Sequence, residues 1–160
     1  MNVFLKKLVF IAALFLMAFN TVYSQELSKV EEAVNELIRK YDGKDEVNCM
    51  TVTKGSGLEF IKMALNKEFG RSFMKGVKSI TIIDYTDASK VTCEALRKDL
   101  DNFLVLLKEF KLNKEKQFAD NDYIRCFAAE DSGVLADFVI ALENDESKTV
   151  MYMAGKIIIE

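Results

Sequence analysis

The chain has no histidine, which removes the commonest general base near neutral pH and the commonest zinc ligand together. Ser-His and Cys-His nucleophiles are therefore excluded. Its three cysteines, Cys49, Cys93 and Cys126, lie far apart, in no metal-ligand or Cys-x-x-Cys spacing. Their flanks are apolar, as Met50 is beside Cys49 and Phe127 beside Cys126, so they read as reduced, structural thiols behaving as small hydrophobes. Also missing is a phosphate-binding loop. Lys54-Gly55-Ser56-Gly57 opens a helix but has no Gly-Lys-Ser/Thr ending, and Ser56 with Glu59 reads as a capping box. Two acidic turns, Asp120-Asn121-Asp122 and Glu143-Asn144-Asp145-Glu146, lack the spacing of an EF-hand loop and read as Asx-rich turns. No metal, cofactor or catalytic residue is assigned, and the balance leans against an enzyme.

What is present begins with the parts of a secretory signal. Lys6 and Lys7 precede an apolar run from Leu8 to Phe19 and a small-residue exit at Val22-Tyr23-Ser24, a pattern that predicts export and cleavage after Ser24. The run is shorter than the roughly 20 residues a membrane-spanning helix needs. No cysteine follows it to accept a lipid anchor, so the expected product is a periplasmic or extracellular protein and not a lipoprotein. Residues 1–24 are assigned to the signal and 25–160 to one α+β domain, a length that supports one core. The net charge of −3 becomes two charges more negative once Lys6 and Lys7 are gone, which argues against a nucleic-acid partner.

Along the domain, Leu27, Val30, Val34, Leu37, Ile38 and Tyr41 recur at helical spacing, with Ser28 and Glu31 as a capping box and Asp42-Gly43 as the stop. Val47–Lys54 reads as a strand. Leu58, Ile61, Leu65 and Phe69 then mark the buried stripe of a second helix, broadened by Phe60, Met63 and Ala64, and followed by a loop holding Phe73 and Met74. The centre of the chain is Val77–Leu112: a β-branched strand from Val77 to Tyr85, then a long helix capped by Thr86, Asp87 or Ser89. Its expected face is Val91, Leu96, Leu100, Phe103, Leu104, Leu107 and Phe110. Burying that set would contribute on the order of 10 to 20 kcal/mol gross, before chain entropy is subtracted. After a charged linker, Lys111–Gln117, the period becomes alternating: Tyr123–Glu130, Val134–Glu143 and Thr149–Ile159 predict antiparallel hairpins.

The expected architecture is thus a two-layer αβαβαβββ domain. It has one mixed five-stranded sheet, a parallel β-α-β unit with Val47–Lys54 beside Val77–Tyr85, and helices mainly on one face. Lysines 108, 111, 114 and 116 read as a solvated face near the end of the long helix, where cations suit the dipole. The candidate partner patch is Phe60, Met63, Phe69, Phe73 and Met74, an adhesive surface if the second helix and its loop expose it.

The amphipathic helix ending in Lys40-Tyr41-Asp42, the Phe- and Met-rich helix, the Val77–Ile82 strand, the Leu96-Arg97-Lys98 helix and a three-strand C-terminal part resemble the small exported proteins of Gram-negative bacteria grouped as domain of unknown function 4252. The resemblance implies export and an α+β fold and carries no activity. The leading expectation is a non-enzymatic binding or structural module of the envelope, with an envelope protein or surface component as partner. Its competitors are a carboxylate- or lysine-based hydrolase of envelope glycans and a carrier of small apolar ligands.

Overall fold

The computed structural model describes residues 29–69, 72, 74–110, 124–131 and 134–157. The proposed signal, Ser28, Phe73, the linker after Phe110 and the Asp120–Asp122 turn lie outside these residues. The elements run α1 (Lys29–Tyr41), β1 (Asn48–Val52), α2 (Ser56–Phe69), β2 (Gly76–Asp84), α3 (Lys90–Leu104), β3 (Lys108–Phe110), β4 (Ile124–Asp131), β5 (Val134–Glu143) and β6 (Lys148–Ile157). The six strands form one sheet in the order β1-β2-β6-β5-β4-β3, and every pairing is antiparallel.

The expected mixed five-stranded sheet with a parallel unit is therefore incorrect. β1 and β2 pair with Asn48 opposite Asp84 and Val52 opposite Ile80, so the chain returns through α2 to the end of the sheet it left. The connection is not a crossover, and the handedness rule for parallel units does not apply to it. The sequence misleads because Ile80, Thr81, Ile82 and Ile83 are all buried. A strand covered on both faces reads as the continuous apolar run typical of parallel sheets.

Coverage of both faces is the second correction. α1 and α3 pack on one face, where Val34, Leu37, Leu96, Leu100 and Phe103 join Ile83, Val139, Val150 and Tyr152 in a single cluster. α2 lies on the other face, its Leu58, Ile61 and Leu65 packed with Ile80, Ile82, Phe138, Ile140, Met151 and Met153. The domain has three layers, with the sheet in the middle. Register lines the second core up across the strands: Met50 faces Ile82, Ile82 faces Met151, Met151 faces Ile140 and Ile140 faces Cys126.

α3 starts at Ser89, whose Oγ accepts the Thr92 N–H at 3.3 Å, closing one of the free donors of a helix start. The Ser89 N–H donates to Asp45 Oδ2 at 3.0 Å, which ties this start to the turn after α1. The helix ends at Leu104, earlier than its periodicity suggests, and Lys108–Phe110 pairs with β4 instead. Ladder hydrogen bonds to β4 outweigh local helical preference there. Phe110 thus leaves the expected helical face, Val91 is 77 % exposed, and Leu96, Leu100, Phe103 and Leu104 hold the packing. Lys108 belongs to β3 rather than to a helix end.

A crease of bulges crosses the sheet. Register shifts fall between Val77 and Ser79 on β2, between Ala136 and Phe138 on β5 and between Phe127 and Ala129 on β4. Asp137 has φ +51° and Gly155 φ +119°, and a Cβ at Gly155 would collide with the Gly76 carbonyl oxygen. The bulge breaks the alternation expected for Val134–Glu143, because Leu135 joins Phe138 and Ile140 on the α2 face.

Candidate partner surface

α2 is built to face two ways. Gly55 precedes it at φ +89°, Glu59 lies in its first turn and Lys67 in its last, both favourable to the helix dipole. Glu59, expected to close a capping box with Ser56, pairs instead with Lys62 at 3.4 Å. Leu58, Ile61 and Leu65 are 4 % exposed or less, whereas Met63 is 63 % exposed and Phe60 36 %. At 100° per residue Met63 sits roughly opposite the buried stripe.

The chain after α2 folds back along it. The Met74 N–H donates to Asn66 Oδ1 at 2.8 Å, and the Lys75 N–H donates to the Ser72 carbonyl oxygen at 3.1 Å. Between helix and return lies an open groove of about 950 Å³ lined by Glu59, Lys62, Met63, Ala64, Asn66, Lys67, Met74 and Lys75. Neither Lys67 nor Lys75 has an ion-pair partner among the described residues.

The expected patch is thus divided. Met63 and Phe60 are at the surface, Met74 is wholly buried and acts as the floor, and the Phe69 side chain and Phe73 lie outside what is described. Reasoning from the apolar stripe missed the lysines. They were legible as Lys62 and Lys67 flanking Met63, but Lys75 joins them only through the backbone return fixed by Asn66.

The opposite face carries polar ties beside its exposed Val91, Val105 and Leu106. In a cleft of about 320 Å³ between α1 and α3, Lys40 Nζ and Tyr41 OH both donate to Asp99 Oδ2, at 2.5 and 2.6 Å. These donors hold the Asp99 carboxyl below its usual range, while the Tyr41 phenol is raised by burial and by Asp99. Arg97 pairs with Glu143, and Tyr85 OH donates to the same carboxylate at 3.4 Å. Asn144 Oδ1 accepts the N–H groups of Glu146 and Ser147, so the acidic Glu143–Glu146 turn is a side-chain-closed hairpin.

For catalysis without imidazole the sequence left paired carboxylates, a lysine base, or an activated cysteine or serine. The described thiols are unpaired, and burial pushes Cys49 and Cys126 up to about 12, which keeps them as thiols and poor nucleophiles. At the crease, Tyr152 OH donates to Asp137 Oδ1 at 2.7 Å, and the nearby Glu31 carboxyl on α1 is raised by burial and then by Asp137, with Lys78 opposing. Among the described residues no three His, Cys, Asp or Glu side chains converge as metal ligands, and no helix is long and apolar enough to cross a membrane.

Comparison with family models, with curated proteins and with solved structures returns no match to this chain.

Proposed function

We propose that the protein is an exported, non-enzymatic binding module of the bacterial envelope, and that the groove beside α2 is where it takes its partner. One observation carries this reading: a methionine 63 % exposed stands in a groove whose rim is lysine. Exposed apolar side chains ringed by polar ones mark interaction surfaces, and methionine adapts to varied partners. The signal-like N-terminus and the resemblance to the 4252 proteins support the envelope as the setting. The test is a photo-crosslinking amino acid placed at Met63 and, as a control, at Val91, which is exposed on α3. In cells of the source organism a discrete adduct is expected from position 63 and none from position 91. Equal adducts from both positions, or none from either, would remove the groove from consideration.

A second reading, a carboxylate hydrolase of envelope glycans, has Glu31 and Asp137 as its residues. A carboxyl raised by burial with a second carboxylate near it is a feature such enzymes use. Glycan hydrolysis by the purified protein, lost in Glu31→Gln, would establish it. The absence of hydrolysis in the parent protein would end it.

A further inference from the structure

The chemistry of the groove specifies its occupant further, on the reading that the groove is a partner surface. We infer that it takes an extended, acidic segment of a partner protein, with carboxylates at alternate positions on Lys62, Lys67 and Lys75 and an apolar side chain between them against Met63. Among the described residues three cations and one anion, Glu59, line the groove, within a chain whose net charge is −3. The site is a positive spot on an acidic molecule, and its complement is an anion.

Two features favour an extended chain over a compact anion. Lys62 and Lys67 are five residues apart on α2, about 7.5 Å along its axis. Side chains on one side of an extended segment repeat about every 7 Å, which matches the axial rise between the two lysines, and their separation of about 140° around the helix is left to the long lysine stems to close. Lys67 lies in the last turn of α2, where the helix presents carbonyl oxygens and a negative dipole end. A desolvated phosphate is drawn instead to the free N–H groups of a helix start. Solvated carboxylates reached by long lysine stems do not need them.

Shape separates a peptide from a membrane. The groove is a recess between the helix and the turn that follows it, pinned by the Asn66 bond to Met74. A chain fills such a recess, whereas a bilayer is a plane and would also face the acidic remainder of the molecule.

Fluorescence anisotropy of a labelled short peptide alternating glutamate with leucine and serine tests this with the full mature chain. The comparison probes are the same peptide with glutamine for glutamate, inorganic phosphate as competitor, and phosphatidylglycerol vesicles in a sedimentation assay. The glutamate peptide should bind the parent, bind the double variant Lys67→Glu, Lys75→Glu at least about tenfold more weakly, and weaken as salt rises. Both lysines are exposed, so the variant should keep the parental circular dichroism and melting curve. Met63→Ala should weaken binding without changing its salt dependence. Equal binding of the glutamine peptide, equal binding by the double variant, or no binding of the glutamate peptide would each overturn the inference. Vesicle binding lost in the double variant, with no peptide binding, would make the occupant a lipid surface; the acidic-segment inference then fails while the groove stands. A missing crosslink at Met63 removes the groove itself.

Discussion

The two faces of the sheet are covered by different means. On one, α1 and α3 lie side by side, their contact locked by Lys40 and Tyr41 on Asp99, while Arg97 on Glu143 ties α3 to β5. On the other, α2 lies alone, joined to its surroundings by the apolar contacts of Leu58, Ile61 and Leu65 and by the Asn66 bond to Met74 in the turn that follows it. Both faces bury a core, so both are needed to fold. Among the described residues the α2 face sets an exposed methionine beside two lysines that have no ion-pair partner, whereas the polar ties on the α1–α3 side engage the charged groups Lys40, Arg97 and Asp99.

The largest expected break in this comparison comes from Leu100, 4 % exposed under α3. Leu100→Asp places an unpartnered carboxylate in that core and should abolish folding, a loss above about 4 kcal/mol, seen as the absence of a cooperative melt. Next is Gly155→Ala, where positive φ and the collision with the Gly76 carbonyl act together; a loss of about 2 to 3 kcal/mol is expected from urea unfolding. Met63→Asp belongs to the other face and should leave stability within about 0.5 kcal/mol of the parent while weakening binding of the glutamate peptide. Lys98→Ala, on the exposed side of α3, should change stability by less than about 1 kcal/mol.

The lock between α1 and α3 has a pH signature. Because the folded Asp99 carboxyl is held below its ordinary value, its contribution is fully present above the unfolded pKa, near 3.9. It is lost as pH falls from there through the lower folded value. Asp99→Asn should therefore lower the melting temperature at pH 7 and converge on the parent in strong acid. Parallel melting curves at all pH values would mean that the Asp99 contacts do not hold the helices.

Much of the fold was legible because periodicity reports which residues face a core. Val30, Val34 and Leu37 of α1, and Leu96, Leu100 and Phe103 of α3, are buried as their spacing predicts. The hairpins of β4, β5 and β6 follow from short turns between alternating segments. Strand direction was not legible. β2 is apolar on both sides whether its neighbours are parallel or antiparallel, and only the return path of α2 decides. The bulge at Asp137 was hidden for a related reason: alternation in sequence carries no mark of a skipped position. The groove fell between these cases. Met63 could be read as an apolar residue off the main stripe of α2, but Met74 carries the same label and is buried. What distinguishes them is the fold-back held by Asn66, a contact across eight residues.

Cysteine footprinting tests most directly whether the α2 face is the one occupied. Met63→Cys and Val91→Cys, each in otherwise unchanged protein, would be labelled with a maleimide in isolated envelopes and again after purification; the native Cys49 and Cys126 are held as slow thiols by burial. The prediction is that position 63 is shielded in the envelope and labelled readily once purified, while position 91 is labelled in both. Labelling of position 63 at the same rate in both settings would contradict the account.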